Sequence, residues 1–474
     1  MQRIENRPFW ELKVGDSASI VRTLTYSDIE LFAIMSGDVN PAHVDEEFAK
    51  SDMFHQIIAH GMWGGALIST VLGTQLPGPG AIYLGQSLRF RKPVCVGDTI
   101  TVSVRVSAKQ ENNRVSLDCQ ASNQKGEIVI NGTAEVIAPM EKISRERVTL
   151  PEVRLLERGR HYRQLIERTR GCIPIRMAVV HPVDTLSLLG ALEAAKAELI
   201  MPVFIGPEAK VRAAAEKAQL DLSPYEIIST EHSHAAAAKA VTMARELKVD
   251  ALMKGSLQAD ELMYFVDTPQ GLRTERRISH VSAVDVPSFP RPLFITDTAI
   301  NMYPTLEQKR DIVQNAIDLA HALGIPEPKV AILCAQERVS PKLTSTLDAA
   351  VLCKMADRHQ ITGAVLDGPL GFDVAVSPEA AKTEGVLSPV AGHADIFIVP
   401  DVEAGNILTE QLEHLAEAQL AGIVVGAKVP VILAHRGDNI LTRLGSCALA
   451  LLSVHHKRAL AQESATRENE LIAA

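Results

Sequence analysis

The feature that most constrains this 474-residue chain is a change of hydrophobic period near residue 140. Before it, Thr99 to Val106 alternates strictly: Ile100, Val102, Val104 and Val106 face one way, and Thr99, Thr101, Ser103 and Arg105 the other. That is the pattern of a half-buried antiparallel strand. Arg114 to Ser122 and Glu127 to Val136 carry the same β signature, joined by the turn Asn123-Gln124-Lys125-Gly126. Ahead of them, Ala59 to Leu72 reads as one helix so rich in Gly, Ala and Ser that it can lie close against a sheet wrapped around it. After residue 140 short apolar runs alternate with longer amphipathic ones, from Met177 to Leu433. This is the sequence form of a largely parallel α/β sheet covered on both faces. The chain therefore divides into residues 1–140, a charge-dense connector over 141–164 and an α/β domain over 165–465.

Charge and composition exclude several classes. With 48 basic and 57 acidic residues the net charge is −9, and only 4 % of residues are aromatic. Neither a basic surface nor a stacking platform for nucleic acid is expected, and any phosphate-bearing ligand must be held by local cations. The six cysteines, Cys95, Cys119, Cys172, Cys334, Cys353 and Cys447, show no C-x-x-C pair or zinc spacing. They read as reduced thiols of a cytoplasmic protein, and no metal site is expected. The longest apolar stretch, Ala421 to Ala434, is interrupted by Lys428, so no membrane partner is expected either.

In Ser36-Gly37-Asp38-Val39-Asn40-Pro41-Ala42-His43 a carboxylate and an imidazole sit five residues apart across an Asn-Pro turn. An acid and a base on one bent loop suit addition of water across a polarised double bond. His60-Gly61-Met62 opens the small-residue helix, so the Gly61 N–H can point at a carbonyl oxygen. His55 and His60 read as structural or loop histidines. With these motifs, the stretches SGDVNPAHVDEEFA, IIAHGMWGGALIS and LPGPGAIYLGQSLRFRKPVCVGD resemble the MaoC-like (R)-specific enoyl-CoA hydratases over nearly the first 138 residues. The resemblance implies an α+β hot-dog fold acting as a dimer. It carries the hydratase dyad onto Asp38 and His43, the backbone donor to the thioester carbonyl onto Gly61, and a supporting serine onto Ser69. Which member of the dyad is the base stays open.

The second half has Gly-punctuated turns after apolar strands, the positions where α/β proteins bind ligands, and lacks a P-loop. MKGSLQADEL, GLRTERRISHV, LDGPLGFDVAVSPEAA, SPVAGHADIFIVPDVEAGN and GIVVGAKVPVILAHRGDN resemble the phosphate acetyltransferase and butyryltransferase family, the butyryl branch more closely. The resemblance implies a two-lobed α/β fold (isocitrate/isopropylmalate dehydrogenase-like), a homodimer, and acyl transfer between coenzyme A and phosphate. Arg436 falls on the family's phosphate-binding arginine and Asp438 on its acidic position. His435 stands where the family usually has an oxyanion-stabilising serine. Arg273, Arg276 and Lys254 are the expected further cations for phosphate or CoA. The combined expectation is a bifunctional, homo-oligomeric acyl-CoA enzyme, dimer or larger, with CoA thioesters and phosphate as substrates and no tightly bound cofactor. The alternative keeps the hydratase and makes the second domain an acyl-CoA-binding or oligomerisation scaffold.

Overall fold

The computed structural model describes residues 3–153, 155–435 and 437–473, with only the helical backbone beyond residue 466. The chain forms two compact units, Met1–Leu155 and Leu156–Ala474.

In the first unit β1 (Arg3–Glu5), β2 (Ser17–Thr23), β3 (Ile82–Phe90), β4 (Thr99–Lys109), β5 (Arg114–Ser122), β6 (Ile128–Ile137) and β7 (Ser144–Glu146) are joined by α1 (Tyr26–Ser36), α2 (Pro41–Val44), α3 (Glu46–Ser51) and α4 (Gly61–Thr74). Five strands make an antiparallel sheet in the order β2-β4-β5-β6-β3, and β1 pairs separately with β7. The period-2 reading holds in β4: Ile100, Val102, Val104 and Val106 are buried, and Thr101, Arg105 and Ser107 are exposed. They pack with Ile68, Val71 and Leu72 of α4 in one core. The small residues of α4 matter as expected, because a Cβ on Gly64 would fall 2.2 Å from Ile130 Cδ1. Sheet and central helix form the hot-dog arrangement.

The second unit carries β8 (Ile175–Val180), β9 (Ile200–Gly206), β10 (Glu226–Ser229), β11 (Ala251–Lys254), β12 (Ser279–Asp285), β13 (Leu293–Thr296), β14 (Lys329–Leu333), β15 (Val365–Leu370), β16 (Ile396–Ile398), β17 (Gln419–Val425) and β18 (Val431–Ile432). They form one sheet, β10-β9-β8-β11-β18-β17-β12-β13-β16-β14-β15. Pairing is parallel except at its centre, where β12 is antiparallel to both β17 and β13, and β17 to β18. Met177 and Val179 of β8 join one buried cluster and Ala178 and Val180 another, so helices cover both faces. Among the described residues no helix is long and apolar enough to cross a membrane. The described cysteines carry no disulfide.

One close approach fixes the register of the first sheet. A Cβ on Gly132 of β6 would lie 1.9 Å from the backbone oxygen of Ser87 on β3, a contact that backbone cannot relieve cheaply. Gly132→Ala is expected to lower the stability of the first unit by about 1–3 kcal/mol. Both tryptophans, Trp10 and Trp63, lie in that unit, so urea unfolding followed by tryptophan fluorescence reads the change directly.

Candidate functional site

In the first unit α1 ends on Gly37, whose left-handed backbone (φ 76°) turns the chain into the Asp38 loop. Asp38 Oδ1 accepts from the Asn40 N–H at 3.2 Å, and Asn40 in turn caps α2, which carries His43. His43 Nδ1 lies 2.9 Å from the Ile58 carbonyl. A carbonyl only accepts, so the ring holds its proton on Nδ1 and offers a lone pair at Nε2. Asp38 is exposed and His43 half-buried. An apolar cavity of about 330 Å³ opens beside them, lined by His43, His60, Gly61, Trp63, Phe90 and Ile130 among others. Gly61 starts α4, where the first N–H groups have no helical acceptor. A Cβ there would press to 3.1 Å from the Phe90 ring.

His60, read from sequence as structural, belongs to this site. It is buried, its Nε2 donates to the Asp38 carbonyl at 3.0 Å, and its ring centroid lies 4.0 Å from that of His43. One donor atom from each of Asp38, His43 and His60 falls within 4.8 Å of the others. His55 stays outside, an exposed loop residue whose Nδ1 sits 3.3 Å from the Lys50 carbonyl. Ser69 differs from expectation. It is exposed on α4, eight residues and therefore about 12 Å of helix beyond Gly61, and it does not line the cavity. Among the described residues no hydrogen bond joins Ser69 to the Asp38 loop.

In the second unit a cavity of about 1140 Å³ lies at the carboxyl ends of β8 and β11, lined by Asp184, Ser187, Lys254, Ser256, Arg277, His435 and Arg443 among others. A second cavity of about 650 Å³ shares Ala299, Leu433, Ala434 and His435 with it and adds His280, Thr298 and Asp438. Gly255 lets the chain leaving β11 lie close against the end of β8, since a Cβ there would fall 2.5 Å from the Val180 carbonyl oxygen. Lys254 Nζ donates to the carbonyls of Gly255 and Leu257, both at 3.3 Å. The loop between β18 and the last helix, Ile440–Ala473, carries His435 and Asp438. The His435 backbone N–H donates to Asp438 Oδ2 at 2.7 Å. Burial raises the Asp438 carboxyl above the ordinary carboxylate range, against the opposing pull of that hydrogen bond and of His435, Arg443 and Lys254. Burial also acts against the Asp184 carboxylate, but hydrogen bonds from the Ser187 N–H and hydroxyl and from Ser256 hold it lowered.

Two expected cations are elsewhere. Arg273 pairs with Asp267 at 3.0 Å, and Arg276 pairs with Asp318 and lines a separate cavity of about 950 Å³. The residue in the cleft is their neighbour Arg277, whose Nε donates to Asn301 Oδ1 at 2.6 Å. The chain bends at Glu275 and Arg276 just before β12, so the two neighbouring arginines meet different surroundings. Arg443, in the last helix, was invisible as a site residue because no loop motif contains it. Arg436 lies outside the described residues.

His280, in the GLRTERRISHV stretch, is fully buried and its Nδ1 lies 2.8 Å from Thr298 Oγ1. Burial first, and then nearby His435, push its pKa down to about 4. Between that value and the ordinary imidazole range near 6.5 the unfolded chain binds more protons than the folded one, so stability falls as pH drops through this window. The loss should approach about 3 kcal/mol by its lower end. His280→Gln should flatten this slope, read as the difference in Tm between pH 7 and pH 4.5 in variant and wild type.

Comparison with known proteins agrees with this arrangement. The family described as Phosphate acetyl/butaryl transferase matches residues 230–451, and the family described as MaoC like domain matches residues 15–125. A phosphate acetyltransferase of Rhizobium meliloti is 55 % identical over 299 residues, covering 63 % of this chain and 95 % of its own length. A phosphate butyryltransferase of Clostridium acetobutylicum is 39 % identical over 297 residues, covering 62 % and 99 %. The greater likeness is thus to a protein named for acetyl transfer, against the expectation of a closer butyryl match. A branched-chain phosphotransacylase from Enterococcus faecalis superposes with a TM-score of 0.53 at 28 % identity, covering 60 % of this chain and 99 % of that one. The chain belongs to the phosphate acetyl/butyryl transferase family and carries a MaoC-like domain ahead of the transferase domain.

Proposed function

We propose that the protein is a bifunctional cytoplasmic enzyme of acyl-CoA metabolism that hydrates trans-2-enoyl-CoA to (R)-3-hydroxyacyl-CoA and transfers acyl groups between coenzyme A and phosphate. The observation that carries the first activity is the His43 tautomer. With Nδ1–H given to Ile58, Nε2 can take a proton from a water held against Asp38. The hydroxyl adds to the β-carbon while the Gly61 N–H stabilises the thioester oxygen, and the proton on Nε2 goes to the α-carbon. The cavity lined by Trp63, Phe90 and Ile130 suits the acyl chain.

In the second activity Asp438 takes the proton of the CoA thiol, and the thiolate attacks the acyl phosphate carbonyl. His435 donates to the developing oxyanion in the serine's place, and phosphate leaves; acyl-CoA phosphorolysis is the reverse. The raised Asp438 carboxyl is better matched to a thiol than an ordinary carboxylate. Arg277 and Lys254 supply cations in the cleft, and Arg436 is kept as a phosphate ligand from its motif. A two-lobed, isocitrate/isopropylmalate dehydrogenase-like description is supported by the antiparallel centre β17-β12-β13, which separates two parallel flanks.

The proposed enzyme is also a homo-oligomer. The edge strand β3 is exposed along almost its whole length, with Ile82, Leu84 and Phe90 among its exposed apolar side chains. An edge of this kind pairs readily with another chain. Leu84→Asp should lower the mass found by light scattering, and an unchanged mass would remove β3 from the contact.

Asp38→Asn should cut crotonyl-CoA hydration, followed by loss of the conjugated absorbance, by about 10²-fold or more. Phosphate-dependent release of CoA from acetyl-CoA and butyryl-CoA should persist in that variant. Equal loss of both would sink the two-site reading, and wild-type protein with no phosphate-dependent release would leave the second unit a scaffold.

A further inference from the structure

Arg443 is a buried cation of the cleft with no carboxylate in direct contact among the described residues. It is 5 % exposed, and its Nη2 donates to the His435 carbonyl at 2.8 Å and its Nε to the Asp438 carbonyl at 3.4 Å. Among the described residues no carboxylate comes within ion-pair distance of it. The carboxylates of Asp184 and Asp438 feel its charge only at longer range, and they are engaged by Ser187 and Ser256 and by the His435 N–H respectively. Arg273 and Arg276, by contrast, are exposed and each already holds a carboxylate. Burying a cation with no carboxylate in direct contact is unfavourable, and a guanidinium whose neutral contacts use only part of its donor set still presents a fork to an anion. Room for the arm is built in. A Cβ on Gly190, in the helix Thr185–Lys196, would fall 2.6 Å from Arg443 Cδ.

We propose that Arg443 receives the phosphoryl group exchanged in the transfer reaction, as inorganic phosphate or as the phosphate of the acyl phosphate. The proposal rests on the transferase reading above and adds a ligand that no loop motif contains. The phosphates of CoA offer the same chemistry. Arg443 is assigned to the exchanged phosphate because its donors grip the backbone of the loop that bears His435 and Asp438, whereas the pantetheine arm carries the phosphates of CoA well away from its thiol. The same contacts make Arg443 a positioning residue for that loop, so phosphate binding and loop placement are one event.

The test uses the full chain with Arg443→Met and Gly190→Ala, the second of which keeps the arginine and displaces its arm. Arg443→Met should raise the KM for phosphate in acetyl-CoA phosphorolysis at least tenfold while the KM for acetyl-CoA stays within twofold. Gly190→Ala should raise the phosphate KM in the same direction. Millimolar inorganic phosphate should raise the Tm of the wild type more than that of Arg443→Met. This readout needs no turnover: a phosphate effect on Tm without CoA release would uphold the site and remove the transferase reading. An unchanged phosphate KM together with an equal Tm effect in Arg443→Met overturns the proposal. A rise confined to the acetyl-CoA KM overturns it in favour of the phosphates of CoA.

Discussion

The second unit depends on one strand that is polar and yet buried along its whole length. All seven residues of β12 are buried, and four of them, Ser279, His280, Ser282 and Asp285, carry polar side chains. Each must find a partner or cost the full penalty of an unpaired buried group. Ser279 receives Asn315, His280 and Ser282 meet at Thr298, and Asp285 takes both the ring and the backbone N–H of His161. Those partners come from Arg160–Glu167, from Leu306–Ala322 and from the loop after β13. Satisfying one strand therefore fixes elements on both faces of the sheet, and with them the walls of the cleft.

That strand also shows where sequence reading stops. Most of the alternating apolar runs were legible as strands because parallel strands buried on both faces are continuously apolar, as Met177 to Val180 are. The segment 279–285 has no such run, since its polar residues are satisfied by partners far away in the chain. Its neighbour β17 was visible only as an apolar stretch. In the first unit β4 was legible residue by residue, because one of its faces meets the core and the other does not.

The sites were legible to the extent that they lie on local motifs. Asp38, His43 and Gly61 sit on one bent loop and one helix start, and the structure brings Asp38 and His43 together. Ser69 was placed by resemblance, and helix geometry takes it away from the loop. Lys254 lines the cleft as expected, and Arg273 and Arg276 lie elsewhere for a different reason. Whether an arginine enters a cleft or pairs on the surface turns on a local bend of the chain, as Arg276 and Arg277 show. His60 and Arg443 act through backbone carbonyls of other residues, a relation that leaves no pattern in the sequence.

The short pairing of β1 with β7 carries a broader meaning. Arg3–Glu5 runs antiparallel to Ser144–Glu146, so the strand that enters the first unit lies beside the strand that leaves it. The pairing ties together segments 141 residues apart, so the two ends of the unit hold each other against fraying.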